Sequence, residues 1–134
     1  MTIQVCEAQA KQLLENNLKE ATTLIEDEAM MRKFLKGVEL KFKIVPIVKE
    51  DRYLAQIPDL VTMVYDYMAK AYTQISEESI QTAVAGLMYF LSPDDLIDDN
   101  VPELGYIDDI AVLSYCVKVV EKDLNAYRSY TQRT

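Results

Sequence analysis

SEESIQTAVAGLMYFL, residues 76 to 91, reads as a helix that other helices must surround. Ser76 is a good N-cap residue, and Glu77 and Glu78 stand in the first turn, where the helix dipole favours negative charge. The second half, AVAGLMYFL at 83 to 91, is the longest uninterrupted apolar run in the chain. A helix that is apolar on most sides is a buried one. Its nine residues span about half of the roughly 20 that a membrane-crossing helix needs. The spacing predicts a central helix over 77–91.

A second central helix is expected over 107–130. Leu113, Cys116, Val120, Leu124 and Tyr127 make one stripe, and Val112, Tyr115 and Val119 make another. Two adjacent stripes mean a wide buried arc. N-terminal to residue 76, Pro58 suits the first turn of a helix. Ile57, Leu60, Val61, Val64, Tyr67, Met68, Ala71 and Ile75 carry that helix to about residue 75. KEDRYLAQ, residues 49–56, reads as a polar loop.

Residues 3–36 read as helix, on a stripe of Leu14, Leu18, Ala21 and Ile25 widened by Leu13 and Leu24. The acids at 26–28 mark a break, after which Met30, Met31, Phe34 and Leu35 continue on a new face. Gly37 fits the position just past a helix end. VELKFKIV, residues 38–45, alternates in the strand manner, but a lone strand has no partner. A short helix or extended connector ending at Pro46 is expected there. The fold class is therefore all-α: a single-domain bundle of about five helices, with a Pro-rich acidic hairpin between the last two long ones.

The chain of 134 residues suffices for one domain with a real core. Three Gly and four Pro argue against a β-sandwich or barrel with many tight turns. The N-terminal MTIQVCEAQAKQ has no secretory-signal pattern, so a soluble cytoplasmic protein is the expectation. Cys6 and Cys116 are expected to be free thiols, Cys116 acting as a small hydrophobe in an apolar helical run.

The net charge of −8 is unevenly spread. From Ala71 to Val117 there is no Lys or Arg, and nine acids stand there; the rest of the chain carries 14 bases against 13 acids. Such an acidic face repels nucleic acid and anionic lipid. The opposite bias appears at Arg32, Lys33, Lys36, Lys41, Lys43, Lys49 and Arg52. That cluster is a solvated helix surface, or it pairs with the acidic segment, or it meets an acidic partner.

YFLSPDDLIDDNVPELGYIDD, residues 89–109, concentrates the charge: six Asp and one Glu with no base. Helix caps account for most of these. Ser92-Pro93-Asp94-Asp95 has the form of a helix start with a capping box, and Asn100-Val101-Pro102-Glu103 repeats it. Asp108 and Asp109 sit where the last helix begins. Asp98 and Asp99 are left over, each four residues after another Asp. Dispersed carboxylates need no partner. Converging ones need basic side chains, raised pKa values or a cation, for which hard oxygen ligands suit Ca²⁺, Mg²⁺ or Mn²⁺. The spacing is not that of an EF-hand.

LMYFLSPDDLIDDNVPELGYIDDIAVL, residues 87–113, resembles the signature of the YkvA-like family, a bacterial domain of unknown function. Tyr89, Phe90, Ser92, Pro93, Asp95, Leu96, Ile97, Asp99, Pro102, Gly105, Tyr106, Asp108 and Asp109 carry the match. It is strong over about 30 residues and looser over 38–130, which leaves 1–36 as an N-terminal helical extension within a single domain, 1–134. The resemblance implies a small helical protein with an apolar helix leading into a Pro-rich acidic hairpin. It implies no particular activity. It raises membrane association through the hairpin, against which Asp94 and Asp98 add charge where the family pattern has an aliphatic residue and Pro. The acids that match are Asp95, Asp99, Asp108 and Asp109. They are the metal candidates, with Tyr106 and Ser92 beside them and Ser92, Pro93, Pro102, Gly105 and Tyr106 as the structural motif.

The function expected first is a non-catalytic protein-interaction or oligomerising module. The chain has no His, hence no imidazole base, and neither a P-loop nor a dinucleotide-binding glycine motif. A divalent-cation-binding protein, or an enzyme acting through metal-bound water, is the second expectation. A peripheral membrane protein using Leu96, Ile97, Val101 and Leu104 is the third. No catalytic residue and no organic cofactor is assigned, a divalent cation being the one cofactor the acids suit. The expected partner is another protein or a second copy, not nucleic acid, with the acids opposing a membrane surface.

Overall fold

The computed structural model describes residues 7–44, 52–91 and 107–132. These form an all-α bundle. Its helices are α1 (Glu7–Glu15), α2 (Leu18–Ile25), α3 (Glu28–Ile44), α4 (Ile57–Met68), α5 (Glu77–Leu91) and α6 (Ile107–Gln132), with a short 3₁₀ turn at Leu54–Gln56 before α4.

The central position of α5 follows from its composition. Ser79, Ile80, Thr82 through Leu87, Tyr89 and Phe90 are buried, and α5 packs against each of the other five helices. Full burial of a side chain such as Leu87 or Phe90 contributes roughly 1.5–3 kcal/mol. α6 is its main partner. The stripe of Leu113, Cys116, Val120, Leu124 and Tyr127 is buried, as is Val112, while Tyr115 and Val119 are half-buried. The two helices approach at Gly86, where an added Cβ would lie 2.8 Å from the Cys116 sulfur. The Cys116 thiol donates to the Thr82 carbonyl at 3.4 Å. Burial pushes this free thiol up to about 12.

Three boundaries differ from expectation, each for a local reason. The helix expected over 3–36 is broken at Asn16–Asn17 as well as before Glu28. Short amide side chains compete with the helical backbone, and the Asn17 amide donates instead to the Ala85 carbonyl of α5, at 3.4 Å. Of the stripe on these helices, Leu14 and Ala21 are buried and Leu18, Leu24 and Ile25 half-buried; the Leu13 side chain lies outside the described residues. The break at 26–28 is present, with the Asp27 carboxylate accepting from the Met30 amide at 3.1 Å. Gly37 does not end a helix: α3 runs through it to Ile44, and the side chain of Leu91 fills the space beside it. The alternation at 38–44 is therefore helical, with Val38 inward and Phe42 half-buried. α4 stops at Met68 rather than near 75. Lys70 takes φ 61°, and the Lys70 and Ala71 amides return to the Tyr67 and Asp66 carbonyls at 3.1 and 2.9 Å. This is a Schellman end built on a non-glycine residue.

Candidate functional site

The segment singled out by the sequence joins α5 to α6. Residues 92–106 lie outside the described residues, so Ser92, Pro93, Asp95, Asp99, Pro102, Gly105 and Tyr106 do too. Asp108 and Asp109 fall in the first turn of α6, and their side chains are likewise outside the described set. What the structure does describe is the root of that segment.

The last carbonyls of a helix lack intrahelical donors. At the end of α5 the Phe90 carbonyl accepts from the Lys41 ammonium at 2.5 Å, and the same ammonium stands 4.9 Å from the centre of the Phe90 ring. A cation there also opposes the negative end of the helix dipole. Leu91 lies over Gly37, its Cδ2 3.4 Å from where a Cβ would stand. The basic end of α3 thus fixes the C-terminal end of α5, after which the acidic segment begins. Among the described residues, no group of three or more Cys, Asp or Glu is placed to hold a metal ion.

Three polar clusters elsewhere escaped the sequence reading. The first is at the start of α5. The Ser76 hydroxyl accepts from the Ser79 amide at 3.1 Å, as its N-cap reading required. It also donates to the Asp123 carboxylate of α6 at 3.1 Å, and the Ser76 amide reaches the same oxygen at 3.2 Å. Hydrogen bonds from the Ser79 hydroxyl, and then from Ser76, hold the Asp123 carboxyl below its ordinary value.

The second cluster closes α6 onto α4. The Tyr127 hydroxyl donates to the Asp66 carboxylate at 2.5 Å. Desolvation and that carboxylate raise the Tyr127 phenol above its ordinary value. Tyr72 packs edge-on to Tyr127, with ring centres 5.2 Å apart.

The third is a cleft of about 320 Å³ whose lining includes Arg52, Gln56, Lys118, Glu121, Asn125 and Arg128. Arg128 bonds Asp59 at 2.8 Å and Gln56 at 3.1 Å. It ties the 3₁₀ turn and the start of α4 to α6. These three clusters join residues 47 to 72 apart in the chain. The one trace of them in the sequence was Ser76 as a cap.

Comparison with known proteins bears on the same region. A family described as "Protein of unknown function (DUF1232)" matches residues 80–115, from α5 across the acidic segment into α6. The chain is 27% identical over 77 residues to the "Uncharacterized membrane protein YkvA" of Bacillus subtilis (strain 168), an alignment covering 58% of this chain and 73% of that protein. No solved structure matches. The matched interval runs from α5 through the signature into the first turns of α6, and over it the chain is similar to the YkvA-like family.

Proposed function

We propose that the chain is a non-catalytic interaction module whose bundle presents the acidic segment 92–109 to a protein partner or a second copy. The observation that supports this most is the anchoring at Phe90 and Leu91. Lys41 and Gly37 fix the root of a segment that carries seven acids and no base. Fixing one flank of a charged segment lowers the ordering cost of binding, and its charge suits a basic partner surface.

Site-specific photo-crosslinking in cells tests this. A photoreactive residue at Leu96 is expected to give discrete protein adducts that fall off in an Asp95→Asn/Asp99→Asn background. The same probe at Lys11, on the exposed face of α1, is expected to give none. Adducts no stronger at 96 than at 11 would contradict the reading.

A second reading, peripheral association with a membrane surface, is favoured by the name of the Bacillus relative. No described helix is long and apolar enough to cross a membrane, so this reading is of a protein lying on the surface through its described part.

A further inference from the structure

One face of α3 packs against no other element among the described residues. Met31, Leu35 and Val38 point into the core. Met30, Lys33, Lys36, Leu40, Lys43 and Ile44 fall on the opposite arc at 3.6 residues per turn, and all six are exposed. Met30 is 52% exposed, Leu40 62% and Ile44 77%, and these are three of the four large exposed hydrophobics among the described residues. The acids of α3 lie off this arc. Glu28 pairs with Arg32 at 2.7 Å, and Glu39 hydrogen-bonds Tyr65 of α4. In a chain of net charge −8, α3 alone carries Arg32, Lys33, Lys36, Lys41 and Lys43.

We propose that this face of α3 is a contact for an anionic lipid surface. The inference rests on the peripheral-membrane reading and names the surface that performs it. The stripe spans about 21 Å at 1.5 Å per residue. It is a convex helix face, which suits a flat partner. Met30, Leu40 and Ile44 take one side of this arc and Lys36 and Lys43 the other, with Lys33 among the apolar residues; apolar side chains bordered by lysines are the pattern of a helix lying in a bilayer interface. The lysine stems extend along the apolar boundary while the ammonium groups reach the headgroup phosphates. Each lysine near an anionic leaflet strengthens binding about five-fold, and the cluster offsets locally the repulsion expected from the acidic remainder.

Flotation of the full chain with phosphatidylcholine vesicles, with and without phosphatidylserine, tests this. The wild type is expected to float with the phosphatidylserine vesicles, more weakly as salt rises. Lys33→Gln, Lys36→Gln and Lys43→Gln should each cut the partition about five-fold. Leu40→Gln/Ile44→Gln should bring it to background. These side chains are exposed, so thermal melts should show every variant folded. Undiminished flotation of Leu40→Gln/Ile44→Gln would overturn the inference and leave the membrane reading standing, with its contact elsewhere. A wild type that floats with neither vesicle would overturn both. If that wild type nonetheless gave protein adducts from a photoreactive residue at Leu40, the face would belong to a protein partner instead.

Discussion

Gly86 lets α5 and α6 come together, and its replacement shows how much the central contact contributes. A methyl there would sit 2.8 Å from the Cys116 sulfur and 3.2 Å from its Cβ. Neither can retreat, because Cys116 is fully buried. Overpacking of this kind typically costs 1–3 kcal/mol, about the range expected for Gly86→Ala. Urea unfolding at neutral pH checks it: the midpoint should fall with the slope unchanged. The gain in helix propensity from Gly to Ala, about 1 kcal/mol, works the other way. A midpoint that rose would mean that the helices are not in this register. Nothing in the sequence marks Gly86 as a contact point, since a glycine inside an apolar run reads the same whether or not a helix crosses it. Lys70 is the converse case. Its left-handed backbone ends α4, yet lysine is not a residue that announces such a turn.

At the scale of the elements, the cap of α5 depends on a neighbouring helix. Asp123 on α6 receives both the amide and the hydroxyl of Ser76. Its folded pKa is depressed, so its contribution is fully present above the unfolded aspartate value and drains away as pH falls through the folded one. The stability difference between the wild type and Asp123→Asn should therefore be largest near neutral pH. It should shrink below about pH 3.9, the ordinary aspartate value, in urea melts taken down the pH scale. A constant difference would mean that the carboxylate's charge plays no part. The elements were legible where one pattern dominated. α5 and α6 have strong caps or wide apolar arcs, and they lie where expected. α3 was misjudged because Gly37 looks like a stop and 38–45 alternates; the packing of Leu91 on Gly37 and of Lys41 on Phe90 keeps the helix going. The break at Asn16–Asn17 depends on an acceptor on α5 that is remote in sequence.

For the whole molecule, charge separates what folds the chain from what it offers outward. The core is apolar, and the ion pairs Lys11–Glu15 and Arg32–Glu28 are exposed and contribute about 0–1 kcal/mol each. The family signature and the charge asymmetry were both readable before any coordinates. The outward face of α3 was not, because the exposure of Leu40 and Ile44 depends on which way the helix turns, and the polar clusters on α6 needed the tertiary contacts. The account's central claim is that the acids of 92–99 serve binding rather than folding. The most direct test is denaturant unfolding of the Asp94→Asn/Asp95→Asn/Asp98→Asn/Asp99→Asn variant beside the wild type. Each like-charge pair four residues apart costs about 0.2–0.5 kcal/mol if the segment is helical. The account predicts that the variant is as stable as the wild type, or up to about 1 kcal/mol more stable, while the adducts from position 96 disappear. A loss of stability beyond about 1 kcal/mol, the worth of a helix cap, with the adducts retained, would contradict it and make these residues parts of the fold.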